Sequence, residues 1–185
     1  MEKIYSALGL MSGTSMDGVD ASIIQSNGES NYKALFNKYY KYNDHLFKNL
    51  SAVRDKINSS KDILKISNEI EDLEKEITIF HAQISNEIIE NSELDIDFIG
   101  FHGQTIFHSV EESISKQLGD GNLLSQLTKK KVIYNFRQND LKNGGEGAPL
   151  APIYHKLLVK KNMIKTPVTI LNIGGISNIT HIDSN

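Results

Sequence analysis

Ten consecutive residues near the start, Met11-Ser12-Gly13-Thr14-Ser15-Met16-Asp17-Gly18-Val19-Asp20, bring together glycines, three hydroxyls and two carboxylates. Glycine lets the backbone come close to a ligand, and successive N–H groups with hydroxyls beside them can surround a phosphate. Asp17 and Asp20 offer hard oxygen ligands for Mg²⁺, directly or through water. The segment has no lysine and no Gly-Lys-Ser/Thr, so it is not a P-loop. A flexible connection between two strands would have the same composition.

Three further segments carry chemistry. His102-Gly103-Gln104-Thr105 follows a short apolar run, a common place for ligand loops in α/β folds, and its neutral donors and acceptors suit sugar hydroxyls. His102 and His108 lack a third ligand nearby, so a metal site is not expected; histidines held by structural hydrogen bonds are the competing reading. Asn135 to Asp140 contains Arg137, one of two arginines in a chain with eighteen lysines. A guanidinium offers a planar fork for a carboxylate or phosphate that an ammonium cannot copy, although a structural salt bridge would also retain it. Gly144-Gly145-Glu146-Gly147-Ala148-Pro149 follows, with glycines that suit unusual backbone angles and N–H groups that can meet an anion at a helix start. Asn172-Ile173-Gly174-Gly175-Ile176-Ser177-Asn178 reads as a glycine hairpin, alone no more than a turn.

The elements that must position these residues alternate strand and helix. Strands are predicted at Ile4 to Leu10, Val19 to Gln25 and Tyr32 to Tyr42, with a turn at Asn27-Gly28. Asn43 is placed to cap a helix carrying Leu46, Phe47, Leu50, Val53 and Ile57. Ile63, Ile66, Ile70, Leu73, Ile77, Phe80, Ile84 and Ile88 recur at steps of three and four, predicting one long helix opened by Ser59 and Asp62. A coiled coil would give the same pattern, and Glu69 to Glu76 form its wet face. Beyond it, a strand at Phe98 to Phe101 ends in a His-Gly-Gln-Thr loop. A helix over Asn122 to Lys130 precedes a strand from Lys131 to Phe136. Pro149 begins a helix with Leu150, Ile153, Tyr154, Leu157 and Leu158, and a hairpin spans Pro167 to Ile182. The order predicts an α/β fold: an antiparallel hairpin merged with parallel strands, covered by helices. Leu8 to Ile24 and Ile170 to Ile182 share a strand–glycine loop–strand pattern, as in a duplicated domain.

Bulk properties narrow the class. The chain is 39% hydrophobic and 23% charged with net charge -3, which gives no reason to expect a nucleic-acid or membrane partner. No apolar stretch approaches the roughly 20 residues that span a bilayer, and the start lacks a signal-peptide pattern, so a cytoplasmic protein is expected. With no cysteine, disulfides and thiolate metal sites are excluded. Lys129-Lys130-Lys131 reads as a solvated lead-in to a strand.

Taken in order, Leu10 to Gly18, His102 to Thr105, Leu118-Gly119-Asp120-Gly121-Asn122, Phe136-Arg137 with Gly144 to Pro149, and Leu171 to Gly175 resemble the motifs of the anhydro-N-acetylmuramic acid kinase family. The resemblance covers nearly the whole chain. It implies the sugar kinase/actin/Hsp70 superfamily, whose two related domains enclose an ATP cleft. Residues 1–165 would then form an actin-like (ribonuclease H-like) domain with a mixed central sheet, and 166–185 the start of a second, similar domain. Gly13, Thr14, Ser15, Met16, Asp17, Gly18, Val19 and Asp20 would make the first ATP-phosphate loop, with Asp17 meeting the metal through Mg-ATP. Gly174 and Gly175 would belong to the second loop. His102, Gln104, Thr105, Arg137 and Asn172 would line the sugar side.

The implied reaction is ATP-dependent. Water activated by a general base opens the anhydro bridge of 1,6-anhydro-N-acetylmuramic acid, and the freed O6 takes the γ-phosphoryl group. The product is N-acetylmuramic acid 6-phosphate, a step of peptidoglycan recycling. Asn135, Phe101 and Glu146 stand where the family usually has aspartate, a small residue and glutamine. Family members are about twice as long, and their base is an aspartate in a Gly-Phe-Asp-Thr-Gly-Pro-like motif that this sequence does not contain. No catalytic residue is therefore expected in this chain; the resemblance puts the catalytic aspartate beyond Asn185. The expectation is a kinase that works with a separately encoded C-terminal half, a homodimer being open to the completed enzyme. The alternative is a non-catalytic remnant with weak sugar or phosphate binding.

Overall fold

The computed structural model describes residues 3–174 and 176–183. Three strands open the chain, β1 (Tyr5–Ser12), β2 (Gly18–Ser26) and β3 (Tyr32–Lys41). Helices α1 (Asp44–Asp55), α2 (Ser60–Lys65) and α3 (Ser67–Ser92) follow, then β4 (Phe98–Ser109), β5 (Ile114–Leu118), α4 (Gly121–Thr128) and β6 (Lys131–Ile133). The chain continues through α5 (Phe136–Lys142), α6 (Pro152–Lys161), β7 (Val168–Asn172) and β8 (Asn178–Ile182).

The sheet runs β3-β2-β1-β4-β5, with β6 also on β4. β1 pairs antiparallel with β2 and parallel with β4; β6 is parallel to β4 and β5 antiparallel. Since β1 occupies one edge of β4 from Phe98 to Gln104, β6 (at Phe98–Gly100) and β5 (at Gln104–Ser109) share the other. This is the expected mixed α/β sheet with flanking helices. β1, β4 and β6 all point the same way, so their C-terminal ends open at one side of the sheet.

Alternation decides which face is dry. Leu8 and Leu10 on β1, Ala21 and Ile23 on β2, and Ile99 and Phe101 on β4 are buried, while Gly9 and Met11 between them are exposed. α1 and α3 cover the dry face: Leu46, Leu50 and Val53 come from α1, and Ile70, Leu73, Ile77, Ile84 and Ile88 from α3. Burying side chains of this size stabilises the fold by roughly 1.5–3 kcal/mol each. α3 therefore spends its apolar stripe on the sheet, α1 and α4, not on a coiled-coil partner. Asn43 caps α1 as expected, its Oδ1 accepting from the Leu46 N–H at 2.8 Å. The Asp62 carboxylate accepts from the N–H groups of Asn58 and Ser59 and from the Ser59 hydroxyl at the start of α2.

Four expectations are corrected, and one element was not anticipated. The long helix breaks at Ile66, which leaves helical angles (φ -114, ψ 26), so Ile63 stands on a separate short helix. His102-Gly103-Gln104-Thr105 is not a loop; β4 runs through it, because β5 offers a second ladder to that stretch. β5 itself is a strand that the sequence pattern does not announce. The residues after Ile133 turn into α5, in place of a longer strand and a loop. Finally, α6 begins at Pro152, not Pro149, and Ile153 and Tyr154 face solvent. β7 and β8 form their own two-stranded sheet.

Candidate functional site

β1 delivers the glycine-hydroxyl segment to the open end of the sheet, and β2 carries it away. Because β2 begins at Gly18, the loop proper is Gly13 to Asp17. Thr14, Ser15 and Asp17 are exposed. The Met16 N–H donates to Gly13 O at 3.2 Å, and Met16 adopts a left-handed φ of 59° that turns its side chain into the core. Met16 and Val19, both expected among the phosphate contacts, are buried core residues, and Met16 can offer a ligand only its backbone. Gly18 answers to packing: a Cβ there would sit 2.7 Å from the Tyr39 ring and closer still to the carbonyl oxygen of Tyr40. At Gly13 an added Cβ would meet nothing nearer than Ser15 Oγ at 3.4 Å.

Asp17 accepts a hydrogen bond from the Ser15 hydroxyl, which holds its carboxyl below the usual carboxylate range, with Tyr39 adding to the effect. It is thus an ionised, exposed carboxylate at the loop mouth. Asp20 is exposed on β2, opposite Tyr39 of β3. Among the described residues no three acidic or histidine groups converge on a metal position. The donor set, one carboxylate with nearby hydroxyls, fits a Mg²⁺ that arrives with phosphates and keeps its water, as that ion commonly does.

The neighbouring strand supports this loop. Gln104, fully buried on β4, donates from Nε2 to Gly13 O at 2.9 Å and to Thr105 O at 3.4 Å. Two carbonyl partners fix which end of the amide is nitrogen. Among the described residues its Oε1 is buried without a partner, a position that costs about 1–3 kcal/mol until a donor reaches it. Thr105 accepts from Gln117 Nε2 at 3.2 Å across to β5.

Arg137 stands on the first turn of α5, just past the end of β6. Its Nε donates to His102 Nε2 at 2.8 Å and its Nη1 to Gly147 O at 2.7 Å. His102 Nε2 is therefore an acceptor, so its proton lies on Nδ1 and points to Gly103 O at 2.7 Å. Burial, aided by the guanidinium, lowers His102 to about 4 and keeps it neutral. Both ring nitrogens are thus occupied, and His102 orients Arg137. No carboxylate lies within ion-pair distance of Arg137 among the described residues, and its Nη2 has no protein partner there. The structural salt bridge allowed by the sequence is absent among these residues, which leaves an unneutralised, half-buried guanidinium.

Asp140, one turn along α5, has a role that its sequence context does not reveal. Its carboxylate accepts from the Gly147 N–H at 2.8 Å, while Arg137 takes the Gly147 carbonyl, so the glycine segment is gripped from both sides. Gly147 has φ +72°, and a Cβ there would press on His108 and Leu141 at 3.0 and 3.1 Å. Asn135 precedes α5 in the left-handed region, which asparagine tolerates, and among the described residues Arg137 hydrogen-bonds to His102 and Gly147, not to Asn135. Phe101 fills the core against His81 (4.9 Å between ring centroids) and against Gly119.

Asn172 and Gly174 are exposed on the separate hairpin, and no hydrogen bond joins them to the other candidates among the described residues. Gly175 lies outside those residues, and so does Asn185, beyond which the catalytic aspartate is expected. A cleft of about 550 Å³ opens beside β5 between α2 and α5. Its walls include Gln117, Tyr134, Asn135 and Gln138 but nothing of the Gly13–Asp17 loop. The polar geometry, not the cleft volume, therefore marks the site.

A family model described as anhydro-N-acetylmuramic acid kinase matches residues 5–185. The chain belongs to the anhydro-N-acetylmuramic acid kinase family. It is 62% identical over 184 residues to an anhydro-N-acetylmuramic acid kinase of Pelagibacter ubique, covering 100% of this chain and 49% of that protein. A Brucella canis protein of the same name is 38% identical over 187 residues, and one from Agrobacterium fabrum 36%; each match covers 98% of this chain and 50% of the relative. The chain thus spans about half the length of the curated relatives it matches. No helix among the described residues is long and apolar enough to cross a membrane.

Proposed function

We propose that these residues form the first phosphate loop and much of the sugar side of an ATP-dependent kinase acting on 1,6-anhydro-N-acetylmuramic acid. The reading rests on one observation: the Gly13–Asp17 loop and Arg137, which has no acidic partner among the described residues, both follow the C-terminal ends of parallel strands, β1 and β6, where open α/β sheets bind ligands. Exposed hydroxyls and backbone N–H groups of the loop suit the phosphates of ATP, and Asp17 suits its Mg²⁺. A muramic acid carries a carboxylate, the partner a guanidinium lacking an acid would take. Gln104 and Thr105 would serve the sugar hydroxyls, with His102 holding Arg137 in place. Asn172, Gly174 and Gly175 would contribute to a second loop opening a second domain at about residue 166.

Phosphoryl transfer depends chiefly on positioning and charge stabilisation, and this chain's share is to hold the nucleotide and orient the sugar. The base that activates water is expected, from the family resemblance, in a stretch matching the other half of the relatives. The product would be N-acetylmuramic acid 6-phosphate, formed in the cytoplasm during cell-wall recycling. Titration of the chain with Mg·ATP tests the loop assignment. Gly13→Val should weaken binding by about tenfold or more, since the β-branched side chain narrows the approach to the loop N–H groups, a loss of about 1.4 kcal/mol. Equal affinity in the two folded proteins would remove the loop from the site.

A further inference from the structure

One residue touches both stems of the loop. Tyr42, just beyond β3, donates its backbone N–H to Asp17 O at 2.9 Å, closing the outgoing stem. Its hydroxyl lies 2.8 Å from Ser12 Oγ, on the residue that ends β1, the incoming stem. Ser12 Oγ is also 3.3 Å from His81 Nε2, and His81 Nδ1 is 2.8 Å from Ile77 O on α3. Ser12, Tyr42 and His81 are all buried, and the Tyr42 ring packs edge-on against Phe80 at 5.1 Å.

The direction of each hydrogen bond can be assigned. A carbonyl oxygen only accepts, so His81 carries its proton on Nδ1. Full burial holds the ring neutral, lowering it to about 4, and its Nε2 is then an acceptor. Ser12 must donate into it. The hydrogen between Ser12 and Tyr42 is therefore the phenol's. The result is a directed chain, Tyr42 to Ser12 to His81 to the α3 backbone, that ties the loop to the rigid core.

We propose that Tyr42 is a positioning residue for the Gly13–Asp17 loop, its N–H and hydroxyl together fixing both stems so that the loop donors are aimed before an anion arrives. The inference deepens the phosphate-loop reading and rests on it for the identity of the anion. Its physical content is preorganisation: a loop already held in its binding form spends less of the contact energy on ordering itself. A tyrosine that merely stabilised the core would change unfolding and leave the loop's affinity alone, because binding measured on fully folded protein does not depend on global stability.

The test is Tyr42→Phe in the full 185-residue chain, which keeps the ring and removes the hydroxyl. Amide exchange is read at Met16 and at residue 42, whose N–H groups close the loop, and affinity is read with Mg·ATP. One net hydrogen bond corresponds to about 2- to 13-fold. Both loop amides should exchange faster by a factor in that range, with the amides of Leu8, Ile23 and Ile99 unchanged, and the Kd for Mg·ATP should rise by a similar factor. Ser12→Ala breaks the same bond from the other side and carries the same two readouts should Tyr42→Phe not fold. If both changes act through that bond, the double variant is no worse than the worse single one. Unchanged loop exchange, or faster exchange throughout the sheet, overturns the proposal. So does an unchanged Kd in a variant whose loop is demonstrably looser, provided Gly13→Val weakens binding. If wild type and Gly13→Val bind Mg·ATP alike, the phosphate reading fails, while the exchange result still decides whether Tyr42 holds the loop.

Discussion

Gly13 and Gly18 bracket the loop and resemble each other in sequence, but the structure separates their roles, and alanine at each position measures the difference. At Gly18 the new methyl would lie 2.7 Å from Tyr39 Cζ and Oη and nearer still to the Tyr40 carbonyl oxygen. Tyr39 is partly exposed and could swing away. Tyr40 O cannot, because Val19 pairs with Tyr40 and Gly18 with Lys41 in the β2–β3 ladder. Relief therefore requires the two strands to part locally. Overpacking of a well-packed site typically costs about 1–3 kcal/mol, and a backbone obstacle puts Gly18→Ala at the upper end. Gly13→Ala meets only Ser15 Oγ at 3.4 Å and should change stability by no more than about 0.5 kcal/mol. Urea unfolding of the three proteins, followed by far-UV circular dichroism, gives the comparison through the midpoint at constant m. A Gly18→Ala protein as stable as wild type would refute the packing argument and return Gly18 to the list of residues kept for a ligand.

Two other outcomes follow from buried polar groups. His81 and His102 are both held near 4, below the ordinary histidine value, so the unfolded chain binds more protons than the native one between about pH 6.5 and 4. Their contribution to stability is fully present above the unfolded pKa and is lost as pH falls through the folded values; urea midpoints should drop across that window, and less so in His102→Gln, whereas a flat profile would contradict the burial of neutral imidazoles. Asp140→Ala removes a charge-assisted hydrogen bond to Gly147 and should cost about 1.5–3 kcal/mol while speeding exchange of the Gly147 amide; an unaltered Gly147 amide would show that Arg137 alone holds the segment.

Much of the frame was legible because it rests on strong local signals. The three opening strands, the Asn43 cap, the carboxylate of Asp62 and the apolar stripe of α3 all follow from periodicity and capping chemistry. β5 was hidden because Ile-Ser-Lys-Gln-Leu is short and mostly polar, and it is a strand only through its ladder with β4. α5 was hidden because Phe136 to Lys142 is rich in polar residues and buries only Leu141. The break at Ile66 lies inside an unbroken apolar repeat, so tertiary packing, not pattern, sets it. Within the site, glycine and hydroxyl content pointed to the loop, but which residues face inward did not show: Met16 turns to the core through a positive φ that no sequence rule requires. Arg137 stands out by its rarity, while its neutral partners are contacts across 35 and 10 residues. His81 did carry a signal, since it lies on the α3 stripe one turn beyond Ile77 and between Phe80 and Ile84. Its link to Ser12, 69 residues away, appears only in three dimensions.

The most direct test of the whole account is phosphoryl transfer by a completed cleft. The 185-residue chain, mixed with a polypeptide spanning the second half of the Pelagibacter ubique relative, would be given 1,6-anhydro-N-acetylmuramic acid and Mg·ATP, with product followed by mass spectrometry. The pair should give N-acetylmuramic acid 6-phosphate, the 185-residue chain alone none, and the pair with Arg137→Gln at least about tenfold less, the loss expected when a charged hydrogen bond to a carboxylate is removed. No product from a folded, associated pair, or undiminished product with Arg137→Gln, would contradict this account.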